Sequence, residues 1–197
     1  LRAYDTFGAL TNHFETTTNT FLSQLLTENT IESTYKSSIT AIWKDRVAKH
    51  KEYTAKIPFS DFKVFDFICQ SLPKNSQLQV SNSSAIRYLQ LFDLDKSIQV
   101  FCNRGTSGID GSTSTAIGAA FASDLPTILI TGDISFLYDS NALWNNYIPK
   151  NFKIILLNNS GGGIFRILPG HQETETFNTY FETSHHLNAS HLAKMYG

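Results

Sequence analysis

Between residues 77 and 158 the chain repeats one pattern four times: a short β-rich apolar run, then a cluster of small and polar residues. The runs are QLQVS (77–81), SIQVFC (97–102), TILIT (127–131) and FKIILLN (152–158), and the clusters behind them are NSSAIR, NRGTSGIDGSTS, GDIS and NNSGGG. Helical stretches fill the gaps, and strands alternating with helices at this distance predict an α/β fold, a parallel sheet with helices on both faces. Upstream, residues 14–28 and 32–55 place Phe21, Leu22, Leu25 and Leu26, then Ile39, Ile42, Trp43 and Val47, at helical intervals, with no Gly or Pro until Pro58. They predict two helices leading into the sheet domain. Ser60 stands where an N-cap belongs, ahead of DFKVFDFICQSL.

Composition narrows the partners. The 197 residues are 41% hydrophobic, with 16 basic against 17 acidic side chains, the profile of one to one and a half globular domains. A net charge of −1 leaves no basic field for a nucleic-acid backbone, so any phosphate must be held locally, by a site. Cys69 and Cys102 lie in apolar stretches without metal spacing and read as buried reduced thiols, which favours the cytoplasm. No run approaches the ~18–20 apolar residues of a membrane span, and no basic, apolar and small-residue leader opens the chain. The chain starts at Leu1 without an initiator and ends as Leu192 and Met195 begin a helical spacing, so it is expected to be part of a longer polypeptide.

The polar clusters mark the carboxyl edge of the predicted sheet, where loops converge and helix N-termini offer N–H groups to an anion. Asp133 ends one run and Asn159 ends another, 26 residues later, about one helical crossover between neighbouring parallel strands. Their carboxylate and amide oxygens, with a carbonyl from the glycine turn, make a hard, low-charge set that suits Mg²⁺ completed by a diphosphate and water. Each residue also has a simpler use. Asp133 can cap the helix ISFLYDSNALW, and Asn158 and Asn159 can sit in a left-handed turn.

Together, Gly132-Asp133-Ile134 and Asn158-Asn159 resemble the Gly-Asp-Gly and Asn-Asn signature of thiamine diphosphate-dependent enzymes, with Ile in place of the third glycine and a slightly short spacer. The flanking segments NRGTSGIDGSTSTAIGAA, GDISFLYDSNALW and NNSGGGIFRILPG are similar to one family among them, the MenD-type 2-succinyl-5-enolpyruvyl-6-hydroxy-3-cyclohexene-1-carboxylate synthases. The resemblance covers residues 59–197 as a C-terminally truncated pyrophosphate-binding domain, and residues 1–58 as the end of the middle domain with a helical connector. It implies thiamine diphosphate and Mg²⁺ (or Mn²⁺) as cofactors. The implied reaction decarboxylates 2-oxoglutarate and adds the succinyl unit to isochorismate in menaquinone biosynthesis, in a homodimer or homotetramer.

Carried over residue by residue, the resemblance makes Asp133, Asn159 and the Gly161 carbonyl the metal ligands. It makes Ile109, Gly132, Asp133, Ile134, Ser135, Asn159, Gly161 and Ile164 the cofactor-binding residues, with Ile109 propping the cofactor in its bent form. The glycines after Asn159 are expected because a Cβ would obstruct the diphosphate. Ser83, Arg87, Arg104, Ile164, Phe165 and Leu168 are the implied substrate contacts. Arginine is scarce, five against eleven lysines, and Arg87 and Arg104 both fall at the carboxyl edge. A guanidinium pairs bidentately with a carboxylate, and the donor substrate is a dicarboxylate. From the residues alone, Ile109 is also a core isoleucine, Ser83 also a helix cap, Arg87 and Arg104 also surface arginines, and the IFRIL stripe also core.

His13, His50, His171, His185, His186 and His191 show no catalytic or metal spacing, and His185-His186 reads as a solvated loop. The glutamate that protonates the aminopyrimidine ring in this superfamily belongs to an N-terminal domain of the neighbouring subunit. No catalytic residue is therefore expected in these 197 residues, and alone they are expected to be inactive. Two other readings stand beside this one: another thiamine diphosphate lyase or decarboxylase, and a non-catalytic phosphate-binding α/β domain.

Overall fold

The structure, a computed structural model, describes residues 3–28, 34–170 and 173–197. The chain divides into two compact units, Leu1–Arg46 and Val47–Gly197. In the first, α1 (Thr18–Glu28) and the start of α2 (Thr34–Lys56) follow the predicted helices within a few residues. Their apolar stripes stay on the surface, with Leu26 78% and Ile42 57% exposed.

The second unit carries the sheet. Its elements are α3 (Asp61–Ser71), β1 (Gln77–Val80), α4 (Ser84–Leu89), β2 (Gln99–Cys102), α5 (Ser112–Phe121), β3 (Thr127–Gly132), α6 (Asp133–Tyr138), β4 (Phe152–Leu157) and α7 (Ser190–Tyr196). The four strands are parallel in the order β2-β1-β3-β4. Successive side chains alternate between faces. Leu78, Val80, Ile128 and Ile130 join Phe65 and Ile68 of α3 and Ile86 and Leu89 of α4 in one core, and α5 packs on β1 and β3 with Ala116 and Ala120 buried. Phe65, with no exposed surface, contributes about 1.5–3 kcal/mol by its burial.

The expected α/β fold, a parallel sheet packed with helices, is present; β2 lies at its edge, bonded to β1 alone, with Val100 and Phe101 42% and 47% exposed. One expectation is corrected. Ser60 precedes α3 but forms no side-chain cap bond, and its hydroxyl is buried without a partner.

Candidate functional site

Strand register brings the site together. Val80 lies level with Ile130, Ile130 with Ile155, and Gly132 with Leu157, so the segments after β1, β3 and β4 leave the sheet at one edge. A cavity of about 370 Å³ opens there. Ser83, Ile109, Asp133, Asn159, Phe165 and Glu182 line it, one or two from each converging segment. Gly132, Ile134, Ser135, Gly161 and Ile164 line it too.

Asp133 is 4% exposed and is the first residue of α6, after the last residue of β3. Its Oδ1 accepts the N–H of Ile134 at 2.7 Å, and its Oδ2 accepts the N–H of Gly161 at 3.0 Å. The first bond is local to the start of α6, whose N-cap is Gly132 without a side-chain cap bond, so the helix-cap account of Asp133 fails; the second crosses to the loop after β4. Against the reading of His185 as solvated, its side chain is 11% exposed with Nε2 3.2 Å from Asp133 Oδ2, although without hydrogen-bond geometry. The ring packs beside the carboxylate, whose hydrogen bonds come from the Ile134 and Gly161 N–H groups. His186 is exposed, and His171 lies outside the described residues.

Asn159 donates its amide N–H to Asp61 Oδ2 at 2.8 Å, which turns the amide oxygen the other way. Asn158 instead donates to the Leu187 carbonyl at 3.1 Å. The glycine turn follows, with Ser160 at φ 69° and Gly161 at φ 151°. A Cβ on Gly161 would stand 2.9 Å from the Glu182 carbonyl oxygen. Within the chain, the returning backbone of residues 182–184 already leaves no room for that Cβ.

On the other side of the cavity Ser83 has φ 72° and makes no side-chain cap bond to α4, so the capping account of this residue fails. Positive φ in a non-glycine residue costs of order 1–3 kcal/mol and clusters at functional sites; Thr183, also lining the cavity, has φ 53°. Arg87 Nη1 donates to the Ser83 carbonyl at 2.9 Å, and Arg104 Nη1 to Asn82 Oδ1 at 3.2 Å. Both arginines are exposed at the margin of the cavity and do not line it. Ile109 is half-buried in the cavity wall, not core, and its carbonyl accepts the Ser135 hydroxyl at 2.5 Å. Leu168 lies in a neighbouring groove that shares Phe165 and Phe181 with the cavity.

Sequence reasoning missed Asn82, which is 2% exposed. Its amide donates to the Asn103 and Gly108 carbonyls while its oxygen accepts Arg104 and the Cys102 thiol. The signal was its place, first after a strand and beside Ser83. Glu182 and Tyr180 were missed as well; nothing local marks them, since only the chain's return brings them to the cavity. Tyr88 lines the cavity, its phenol pushed up by burial and then by the Asp61 carboxylate.

A divalent ion held through a diphosphate needs only a few hard oxygens from the protein. Among the described residues no three His, Cys, Asp or Glu side chains cluster as a metal cage. What exists is one buried carboxylate, an amide oxygen turned from Asp61, and the glycine-turn carbonyl, all at the cavity wall. Such a seat lacks enough negative charge for a bare ion and suits one that brings phosphate oxygens. The residues fit the group.

Comparison with known proteins supplies the family. A family model described as thiamine pyrophosphate enzyme, C-terminal TPP binding domain, matches residues 82–197. The chain is 69% identical over 197 residues to the 2-succinyl-5-enolpyruvyl-6-hydroxy-3-cyclohexene-1-carboxylate synthase of Flavobacterium johnsoniae, covering 100% of this chain and 36% of that protein. It is 70% identical, with the same coverage, to the synthase of that name from Flavobacterium psychrophilum. It thus spans about a third of the length of these curated relatives. The solved Rhodococcus jostii RHA1 thiamine diphosphate-dependent 4-hydroxybenzoylformate decarboxylase has a TM-score of 0.52 at 23% identity, over 72% of this chain and 28% of that one, which is a likeness of fold. With more than half its residues matched by one family model, this chain belongs to the thiamine pyrophosphate enzymes, as part of their C-terminal cofactor-binding domain.

Proposed function

We propose that the chain is the cofactor-binding part of a 2-succinyl-5-enolpyruvyl-6-hydroxy-3-cyclohexene-1-carboxylate synthase, which decarboxylates 2-oxoglutarate and joins the succinyl unit to isochorismate on the route to menaquinone. The observation that carries the site is the reach of Asp133 from the end of β3 to the Gly161 N–H after β4. It brings a carboxylate, an amide and a glycine carbonyl to one wall of one cavity.

Asp133, Asn159 and the Gly161 carbonyl would hold Mg²⁺ or Mn²⁺, with Gly132, Ile134, Ser135, Ile109 and Ile164 around thiamine diphosphate. When bound, thiamine diphosphate supplies the electron sink that 2-oxo acid decarboxylation needs. The chain's own part is to orient and to select. Arg87 and Arg104 keep guanidinium charge at the cavity margin, bonded only to uncharged oxygens in the bonds described, and grip the distal carboxylate of 2-oxoglutarate. Ser83 contacts substrate beside them. Ile164 and Phe165, with Leu168 in the adjoining groove, offer an apolar surface to the isochorismate ring and exclude water.

We place residues 59–197 in the pyrophosphate-binding domain and residues 1–58 in the end of the middle domain with its connector. The working protein is a cytoplasmic homodimer or homotetramer whose N-terminal domain brings the glutamate. Among the described residues no helix is long and apolar enough to cross a membrane. The test is turnover of 2-oxoglutarate with isochorismate by the full-length protein, after chelation and after adding back Mg²⁺ and thiamine diphosphate separately and together. Turnover that needs both additions and both substrates supports the reading. Turnover of another 2-oxo acid without isochorismate points to a different thiamine diphosphate lyase or decarboxylase, and cofactor binding without turnover to a non-catalytic domain.

A further inference from the structure

The glycine turn poses a mechanical problem. Gly161, Gly162 and Gly163 lack side chains that could fix their backbone, and glycine has the widest conformational range of any residue. A carbonyl that ligands an ion must nevertheless point one way, so the turn needs anchors from outside.

Four bonds hold it. Asp133 Oδ2 accepts the Gly161 N–H at 3.0 Å, and Glu182 O accepts the Gly162 N–H at 2.6 Å. The Gly161 carbonyl accepts the Gly163 N–H at 3.0 Å, and the Ser160 carbonyl accepts the His185 N–H at 3.1 Å. Two of these anchors, Glu182 and His185, come from the returning segment, so its position must itself be set. Arg166 sets it. Its Nε and Nη2 donate to the two Glu182 carboxylate oxygens at 2.6 and 2.5 Å, and its Nη1 donates to Glu173 Oε1 at 2.6 Å. Glu182 is 8% exposed. It is therefore held at both ends by residues 162–166, its backbone by Gly162 and its side chain by Arg166. A bidentate guanidinium pair fixes direction as well as distance.

We infer that Arg166 and Glu182 form a clamp that positions the glycine turn for its ligand, and with it the Phe165 and Phe181 rings, which meet edge to face at 5.9 Å. They are positioning residues: neither is assigned contact with a reacting atom. The inference rests on the thiamine diphosphate reading of the cavity. It also explains why the third arginine of this unit is not a substrate grip, since two carboxylates already occupy its donors.

The experiment titrates thiamine diphosphate into the full-length apoprotein at fixed Mg²⁺, by calorimetry and intrinsic fluorescence, for wild type, Arg166→Lys, Glu182→Gln and Asp133→Ala, with apo melting curves alongside. Partners that orient a metal ligand typically affect affinity about 10–100-fold. Glu182→Gln, which keeps the volume and loses the charge, is expected to weaken cofactor binding at least about tenfold. Arg166→Lys, which keeps the charge and loses the fork, is expected to weaken it by several-fold. For Arg166→Lys, whose side chain is not among the residues lining the cavity, kcat at saturating cofactor and metal is expected to stay close to wild type. If Asp133→Ala abolishes binding while both clamp variants bind like wild type, the pair is a structural ion pair and the inference is wrong, whatever the melting curves do. If Asp133→Ala also binds like wild type, the cofactor reading fails and the clamp falls with it.

Discussion

The two walls of the cavity are built on opposite principles. At the ends of β3 and β4 and on the segment that returns to them, the carboxylates are buried and bonded: Asp133 is 4% and Glu182 8% exposed, and each is held by partners from other loops of the cavity. At the ends of β1 and β2 the charged groups, Arg87 and Arg104, are exposed and rest on uncharged oxygens, while the buried residue is the neutral Asn82. A buried charge requires compensation, which makes the first wall rigid in its geometry before any ligand arrives. An exposed guanidinium keeps its charge and its freedom. On the proposed function, one wall would receive the ion and diphosphate and the other would close on a substrate carboxylate.

The strongest way to break this contrast is Asp133→Ala. In the full-length protein it is expected to abolish metal-dependent thiamine diphosphate binding in a titration. It also leaves the Gly161 N–H without its acceptor, so apo stability is expected to fall by about 1–3 kcal/mol, read as a lower Tm. If Arg87→Ala weakens cofactor binding as much, the two walls do not differ in function. Next in size is Asn82→Ala, which strips a donor from the Asn103 and Gly108 carbonyls. Its expected cost is about 2–3 kcal/mol of stability in denaturant unfolding, with cofactor affinity much less affected than by Asp133→Ala.

Much of this contrast was legible in the sequence, and for a physical reason. Four apolar runs ending in polar clusters are local features, so the strands and their common edge could be placed, and Asp133, Asn159 and Gly161 fell at one cavity as spacing implied. What escaped depends on contacts between distant residues. Glu182 and His185 reach the glycine turn only because the chain doubles back, and no local pattern encodes that return. Ser60 and Ser83 look like caps in sequence, yet neither side chain forms the cap bond. Cap signals report a residue type that suits the position and not the rotamer that packing selects.

Arg87→Lys and Arg104→Lys sharpen the contrast at the open wall. Lysine offers a point charge in place of a planar fork, so each is expected to raise KM for 2-oxoglutarate and lose about 1–2 kcal/mol of kcat/KM. Thiamine diphosphate affinity stays near wild type. Steady-state kinetics with each substrate varied separately checks this, and wild-type kcat/KM in both variants would make them surface arginines.

The smallest effect is read from the thiols, which report on the walls without touching catalysis. Burial, followed by the Asp66 carboxylate, pushes the Cys69 thiol up to about 12 from an ordinary 9.0. Burial also pushes Cys102 up, but the Arg104 guanidinium pulls the other way. A raised folded-state value means that the neutral thiol is favoured by folding; that contribution is complete below about pH 9 and is lost as pH rises toward 12 and the unfolded thiol ionises alone. At pH 8 both native thiols are therefore expected to react slowly with iodoacetamide, because the thiolate is the nucleophile. Cys102 should be the faster of the two for as long as Arg104 stays beside Asn82. Arg104→Ala is then expected to slow Cys102 and leave Cys69 alone, measured by mass spectrometry of the alkylated peptides. An unchanged Cys102 rate would mean that the Arg104 guanidinium swings away from Asn82 in solution, and the open wall would be more mobile than its hydrogen bonds imply.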